Sequence, residues 1–188
     1  MPACNVLIPL AQGCEELEAV TIIDLLRRAG MQVTVASLDD KPVTCSRGVV
    51  ITADVLLDSI LDKVSAGKFD LMVLPGGLPG ADNLNADPRI HQIITQLATD
   101  GKHLGAICAA PKVFVTNGIL NGKQATAYPN SLDALNTDNI VLENKPIIVD
   151  GNIITSRGPG TAMDFALQLI ETMLGKEARQ AVEQPLQR

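Results

Sequence analysis

Short apolar runs alternate along this chain with longer stretches whose apolar positions recur at helical spacing. Residues 4–10 form one such run, ending near Gly13, and residues 16–29 carry apolar side chains around most of a helix before Gly30 stops it. The pattern predicts a strand followed by a helix. Residues 32–37 are brief and β-branched, a second strand, while residues 43–45 and 49–51, separated by Ser46-Arg47-Gly48, predict a hairpin. Residues 71–74 predict a buried strand. Asp87-Pro88 predicts a helix start, since the carboxylate caps free N–H groups and proline suits the first helical position. Ile90, Ile93, Ile94 and Leu97 then mark the buried face. Residues 103–107 predict the next strand, with Cys108 at its turn into a helix containing Ala109, Ala110 and Val113. Residues 147–149 and 153–155 predict a second hairpin. Residues 161–174 predict the last long helix, apolar around most of its circumference and therefore wedged against a sheet.

Strands interleaved with helices imply a mostly parallel sheet covered on both faces, because parallel neighbours require crossover connections. The expected architecture is a flavodoxin-like three-layer α/β sandwich, built as a single domain over residues 1–188. A chain of 188 residues with 46% hydrophobic positions and a mean hydropathy of +0.21 excludes a disordered protein. Aromatics supply only 2%, so the core is aliphatic and base-stacking platforms are scarce. Fifteen basic against twenty-one acidic residues give a formal charge of -6, the wrong sign for nucleic acid or an anionic membrane as partner. No apolar run approaches the ~18 residues of a membrane span, and the N-terminal run has no basic flank, so a cytoplasmic location is expected. Four widely spaced cysteines without a C-x-x-C pair suggest reduced thiols and neither a metal nor a cofactor.

In doubly wound folds ligands gather beyond the carboxyl ends of the strands, which singles out three loops. The first is Gly105-Ala106-Ile107-Cys108-Ala109-Ala110-Pro111, a strand-to-helix turn whose small flanks suit a nucleophile elbow. A helix start there favours thiolate over thiol at Cys108; the alternative is a small buried core residue. The second is Leu74-Pro75-Gly76-Gly77-Leu78-Pro79-Gly80, which lacks the Lys and Ser/Thr of a phosphate loop. It is either a tight turn or a source of backbone N–H groups, that of Gly77 joining that of Ala109 around a developing oxyanion. The third is Gly13-Cys14-Glu15-Glu16-Leu17-Glu18, where acidic residues either complement the helix dipole or supply one proton carrier to the sulfur. A carboxyl beside a thiolate has its own pKa raised. Histidine is scarce: His103 lies about 13 Å along its strand from Ile107 and cannot be the base, and no spacing recommends His91.

With these pieces assembled, the chain resembles the DJ-1/ThiJ/PfpI superfamily, in particular its small DJ-1-like branch. The likeness rests on the Glu-Glu-x-Glu pattern within residues 13–18, Asp24-Leu25-Leu26-Arg27-Arg28-Ala29-Gly30, Cys45-Ser46-Arg47, Val73-Leu74-Pro75-Gly76-Gly77, Ala106-Ile107-Cys108-Ala109-Ala110-Pro111, residues 155–161 and Gly175-Lys176-Glu177. The resemblance implies that Cys108 is the reactive cysteine, that the Glu18 carboxyl hydrogen-bonds it, and that Gly77 and Ala109 surround it with N–H groups. Glu16, Arg28, Arg47, Tyr128 and Cys14 are expected in support. It further implies a homodimer built partly by the helix bearing Asp24 and Arg28, with Arg47 approaching the site from the partner side.

The activities implied are cofactor-free conversion of methylglyoxal-type dicarbonyls to hydroxy acids, removal of early glycation adducts, and oxidation of the cysteine to a sulfinate linked to oxidative stress. A redox sensor or stress-protective, chaperone-like protein with little turnover is the rival, and an amidase or peptidase is a third reading. Small dicarbonyl or glycated molecules are the expected substrates. Many relatives place a histidine where this chain has Tyr128, a poor base near neutral pH, so proton transfer rests on Glu18 or water. Cys14, just before the glutamates, is a candidate resolving thiol for Cys108.

Overall fold

A computed structural model describes residues 4–40 and 42–188. In chain order its elements are β1 (Asn5–Leu10), α1 (Glu16–Arg28), β2 (Gln32–Ser37), β3 (Pro42–Thr44), β4 (Val50–Thr52), β5 (Val55–Leu56), α2 (Leu61–Ser65), β6 (Leu71–Leu74), α3 (Leu78–Ala86) and α4 (Pro88–Thr99). Then follow β7 (His103–Ile107), α5 (Pro111–Asn117), β8 (Gln124–Ala125), β9 (Val141–Leu142), β10 (Ile147–Asp150), β11 (Ile153–Ser156), α6 (Ala162–Leu174) and α7 (Lys176–Glu183).

Seven strands form one sheet in the order β10-β11-β7-β6-β1-β2-β5, parallel except where β10 folds back on β11. Central strands of such a sheet are buried on both faces, and β1 shows how the alternation divides them. Val6, Ile8 and Leu10 face a cluster shared with Ile22 and Leu26 of α1 and Phe165 and Leu169 of α6. Leu7 faces the opposite cluster, with Ile90, Ile93 and Leu97 of α4 and Phe114 of α5. Strand β6 divides likewise, Leu71 and Val73 to the first side, Met72 and Leu74 to the second. The flavodoxin-like three-layer sandwich is therefore the observed fold.

The predicted boundaries hold to within a residue for most elements. Asp87 caps α4 by accepting the Arg89 N–H at 2.9 Å, with Pro88 opening the helix. The predicted hairpin is β3–β4, a separate two-stranded sheet pairing Val43 with Ile51. Two readings need correction. Ala109 and Ala110 lie in a turn and α5 begins at Pro111, so Cys108 stands before the helix and outside it. The glycine loop after β6 is shorter than its composition suggests, because α3 starts at Leu78 despite Pro79 and Gly80. Gly80 is what lets α3 dock: a Cβ there would lie 2.6 Å from the Cα of Cys14. Among the described residues no helix is long and apolar enough to cross a membrane.

Phe165 is fully buried, and its ring fills the space above Gly105, where an added Cβ would come within 3.2 Å of it. Phe165→Ala is expected to cost about 3–5 kcal/mol in urea unfolding, the usual toll of a large cavity. A loss below about 1 kcal/mol would contradict this packing.

Candidate active site

Three loops at the carboxyl edge of β1, β6 and β7 converge on one sulfur. Cys108 follows β7 with φ of 63°, a left-handed conformation that costs a non-glycine residue energy and persists only where its surroundings enforce it. Its N–H donates to the Ser156 carbonyl at 2.9 Å, and its carbonyl accepts the Tyr128 N–H at 2.8 Å. Those two bonds clamp the elbow between β11 and the segment after β8. The side chain is 8% exposed, and its sulfur receives the N–H groups of Gly77 and Ala109.

Glu18, in the first turn of α1, is fully buried beside that sulfur. Its Oε2 accepts the Gly76 N–H at 2.8 Å, while Oε1 meets no nitrogen or oxygen partner among the described residues. A buried carboxylate oxygen left unpaired is expensive, whereas a protonated one can donate to the neighbouring sulfur. Burial accordingly pushes the Glu18 carboxyl up from 4.5 to about 7, despite the opposing Gly76 hydrogen bond. Burial, and after it the Glu18 charge, push the Cys108 thiol up to about 12, against the Gly77 and Ala109 N–H groups that favour its anion.

Burial therefore works against the thiolate that the helix start and the neighbouring carboxyl were expected to favour. Of the two groups the Glu18 carboxyl is the first to ionise, so a thiolate at Cys108 requires its proton to pass to Glu18.

Glycine is required at both positions after β6. A Cβ on Gly76 would lie 2.6 Å from the Cys108 Cβ and 2.7 Å from Glu18 Oε2. Gly77 has φ of 86°, and a Cβ there would strike the Gly13 carbonyl oxygen at 2.5 Å and the Glu15 nitrogen at 2.7 Å. The role of Gly76 escaped the sequence reading, although the Pro-Gly-Gly run after a strand was its signal.

The supporting residues divide. Tyr128 lies next to the site through its backbone, its ring half-exposed and packed on Gly158. It also borders a cavity of about 300 Å³ with Thr126, Asp133, Glu143 and Arg157. Cavities of about 540 and 550 Å³ exist elsewhere, and Cys108 lines none of the three. Glu16 turns away from the sulfur, accepting Ser46 Oγ at 3.0 Å and the Arg47 N–H at 2.9 Å. Although burial opposes its charge, those hydrogen bonds hold its carboxyl below the ordinary range. It is a bolt between α1 and the β3–β4 hairpin. Arg28 pairs with Asp24 at 2.6 Å on a half-exposed face of α1, and Arg47 is exposed, so within one chain neither is bonded to Cys108. The Cys14 sulfur lies 3.5 Å from that of Cys45, giving it a sulfur neighbour other than Cys108. His91 is held by the Asn85 carbonyl at 2.8 Å, and His103 opens β7 at the opposite edge.

The DJ-1/PfpI family model matches residues 4–172. Protein DJ-1 homolog B of Arabidopsis thaliana is 45% identical over 184 residues; the match covers 97% of this chain and 41% of that longer protein. Protein dj-1beta of Drosophila melanogaster is 42% identical over 183 residues, covering 97% and 96%. Glutathione-independent glyoxalase DJR-1.2 of Caenorhabditis elegans is 33% identical over 181 residues, covering 96% and 94%. The crystal structure of Drosophila DJ-1beta superposes with a TM-score of 0.91 at 40% identity, covering 98% of each chain.

The proton on Glu18 has a consequence for stability. Between pH 4.5 and about 7 the native protein retains a proton that the unfolded chain has released. Its contribution is therefore complete at acid pH and is lost as pH rises through the folded value. Glu18→Gln removes that penalty, so at pH 8 the variant should exceed the parent by about 3 kcal/mol in equilibrium unfolding, the difference closing near pH 4. A difference independent of pH would show that Glu18 is ionised in the native state throughout.

Proposed function

Because the chain belongs to the DJ-1/PfpI family, we propose that it is a cofactor-independent glyoxalase converting small dicarbonyls such as methylglyoxal to hydroxy acids. The observation that carries this reading is the buried Cys108–Glu18 pair with two backbone N–H groups aimed at the sulfur. The relative named a glutathione-independent glyoxalase supports it. With the pair's proton on Glu18, the Cys108 thiolate attacks the aldehyde carbon and the carbonyl π electrons move to oxygen. The N–H groups of Gly77 and Ala109 stabilise the resulting oxyanion.

Glu18 gives its proton to that oxyanion. Now a carboxylate, it carries the proton of the former aldehyde carbon to the neighbouring carbonyl oxygen, forming an enediol, and then the first hydroxyl's proton to the neighbouring carbon. The hemithioacetal thereby becomes a thioester of the hydroxy acid. Water cleaves the carbon–sulfur bond, releasing lactate and restoring the thiol. One half of the substrate is oxidised and the other reduced, so no external redox partner is consumed. Tyr128 meets the site through its backbone while its ring is half-exposed, which leaves the proton with Glu18.

A homodimer belongs to the same proposal. Leu17 and Val20 on α1 and Val49 and Val50 of the β3–β4 hairpin are each at least half-exposed, an apolar surface beside Arg47. A second reading, a redox sensor, draws on the same Glu18 proton, which can donate to a sulfinate on Cys108.

Lactate formation from methylglyoxal should fall at least about 100-fold in both Cys108→Ala and Glu18→Gln, as removal of a nucleophile or of its proton carrier requires. Equal and negligible rates in all three proteins would reject the glyoxalase mechanism. Mass spectrometry under graded peroxide tests the sensor: two oxygens should add to Cys108 before any other cysteine changes. In sedimentation velocity the protein should run at twice its 19.9 kDa chain mass, and Val20→Asp should return it to a single chain.

A further inference from the structure

Outside the proposed site the structure holds a second sulfur pair. Cys14, in the loop between β1 and α1, and Cys45, at the end of β3, bring their sulfurs to 3.5 Å across a sequence separation of 31 residues. Both are buried, with Cys14 fully enclosed and Cys45 5% exposed. Their backbones are already tied together. Ser46 N–H donates to the Cys14 carbonyl and Gly13 N–H to the Thr44 carbonyl, each at 2.8 Å. Closing the sulfurs to the ~2.05 Å of a disulfide therefore requires side-chain rotation with little backbone travel.

We propose that Cys14 and Cys45 form a redox site in their own right, a dithiol that closes to an intramolecular disulfide when the protein meets a hydroperoxide. Cys45 is the more accessible and reacts first. Its sulfur attacks one peroxide oxygen, the O–O bond breaks, and a sulfenic acid forms with release of water or an alcohol. The Cys14 sulfur then attacks the sulfenyl sulfur and the S–O bond leaves as a second water. Two thiols lose two protons and two electrons, which reduce the peroxide. A small dithiol reductant reverses the change by exchange. Burial pushes both thiols up, which keeps thiolate scarce and makes closure slow, so it needs sustained oxidant.

The bond would fasten the hairpin to a loop that already abuts the Cys108 site. The Cys14 backbone packs against Gly77 and Gly80, and the next residue, Glu15, donates its N–H to the Gly76 carbonyl at 2.9 Å. Oxidation thus clamps the shelf on which the Gly76–Gly77 turn rests. This chemistry does not require Cys108 to turn over dicarbonyls.

The test uses the Cys108→Ala protein treated with hydrogen peroxide, then denatured, alkylated and digested. The expected result is an intact mass lower by two hydrogen atoms and one cross-linked peptide pair joining Cys14 to Cys45, separated by dithiothreitol. Cys14→Ser and Cys45→Ser, each confirmed as folded by its thermal unfolding before oxidation, should yield no such pair. The oxidised protein should also unfold several degrees higher than the reduced one, since the closed loop restricts the unfolded chain. Recovery of Cys14 and Cys45 as free thiols after peroxide has oxidised Cys108 in the parent would overturn the proposal. So would a Cys14–Cys108 or interchain link in the parent.

Discussion

A single negative charge, shared between a carboxyl and a thiol that water does not reach, is the constraint around which the carboxyl edge of the sheet is organised. Glu18 is fully buried and Cys108 nearly so; burial raises the cost of ionising both, and the Glu18 charge adds to that cost at Cys108. Such a pair survives only if hydrogen-bond donors are supplied at close range. The main chain supplies them, from Gly76 to the carboxyl and from Gly77 and Ala109 to the sulfur. The approach is so close that no side chain fits at Gly76 or Gly77. The left-handed backbone of Cys108 belongs to the same requirement, since it aims the sulfur into that nest of N–H groups.

The surrounding structure holds these donors still. Gly13 and Gly80 let the β1–α1 loop and the first turn of α3 lie in contact, and the Gly76–Gly77 turn is gripped between that loop and Cys108. Glu16 then anchors the β3–β4 hairpin onto α1 through Ser46 and the backbone of Arg47. Two glutamates in the first turn of α1 thus have opposite fates. Glu16, offered several donors, is held below the usual carboxylate range, while Glu18, offered one and deprived of solvent, is held above it. The Cys14–Cys45 contact lies in the same seam between hairpin and loop, which is why a redox event there bears on the Cys108 neighbourhood.

Much of this could be read from the residues alone. The apolar runs and their helical or alternating spacing located the strands and long helices, because burial against a two-sided sheet writes itself into the periodicity. Asp87-Pro88 announced α4, and the small residues flanking Cys108 announced an elbow, since both signals are local. Helix α3 was missed because Pro79, Gly80 and two asparagines dilute its pattern, and it forms through contact with Cys14. Likewise α7 spans only eight residues, and its apolar side, Ala178, Ala181 and Val182, is too small and brief to stand out.

What the sequence determined by itself was the layering of the fold and the identity of the residues able to do chemistry, because both depend on residue type and short-range spacing. Which of them meet was decided only by the tertiary structure. Cys14 lies against Cys45 and not Cys108, and the thiol and carboxyl compete for one proton, while the choice of Glu18 over Glu16 could be read beforehand only through the family resemblance. Those outcomes turn on desolvation and on distances between segments far apart in the chain, and neither quantity exists until the loops have packed.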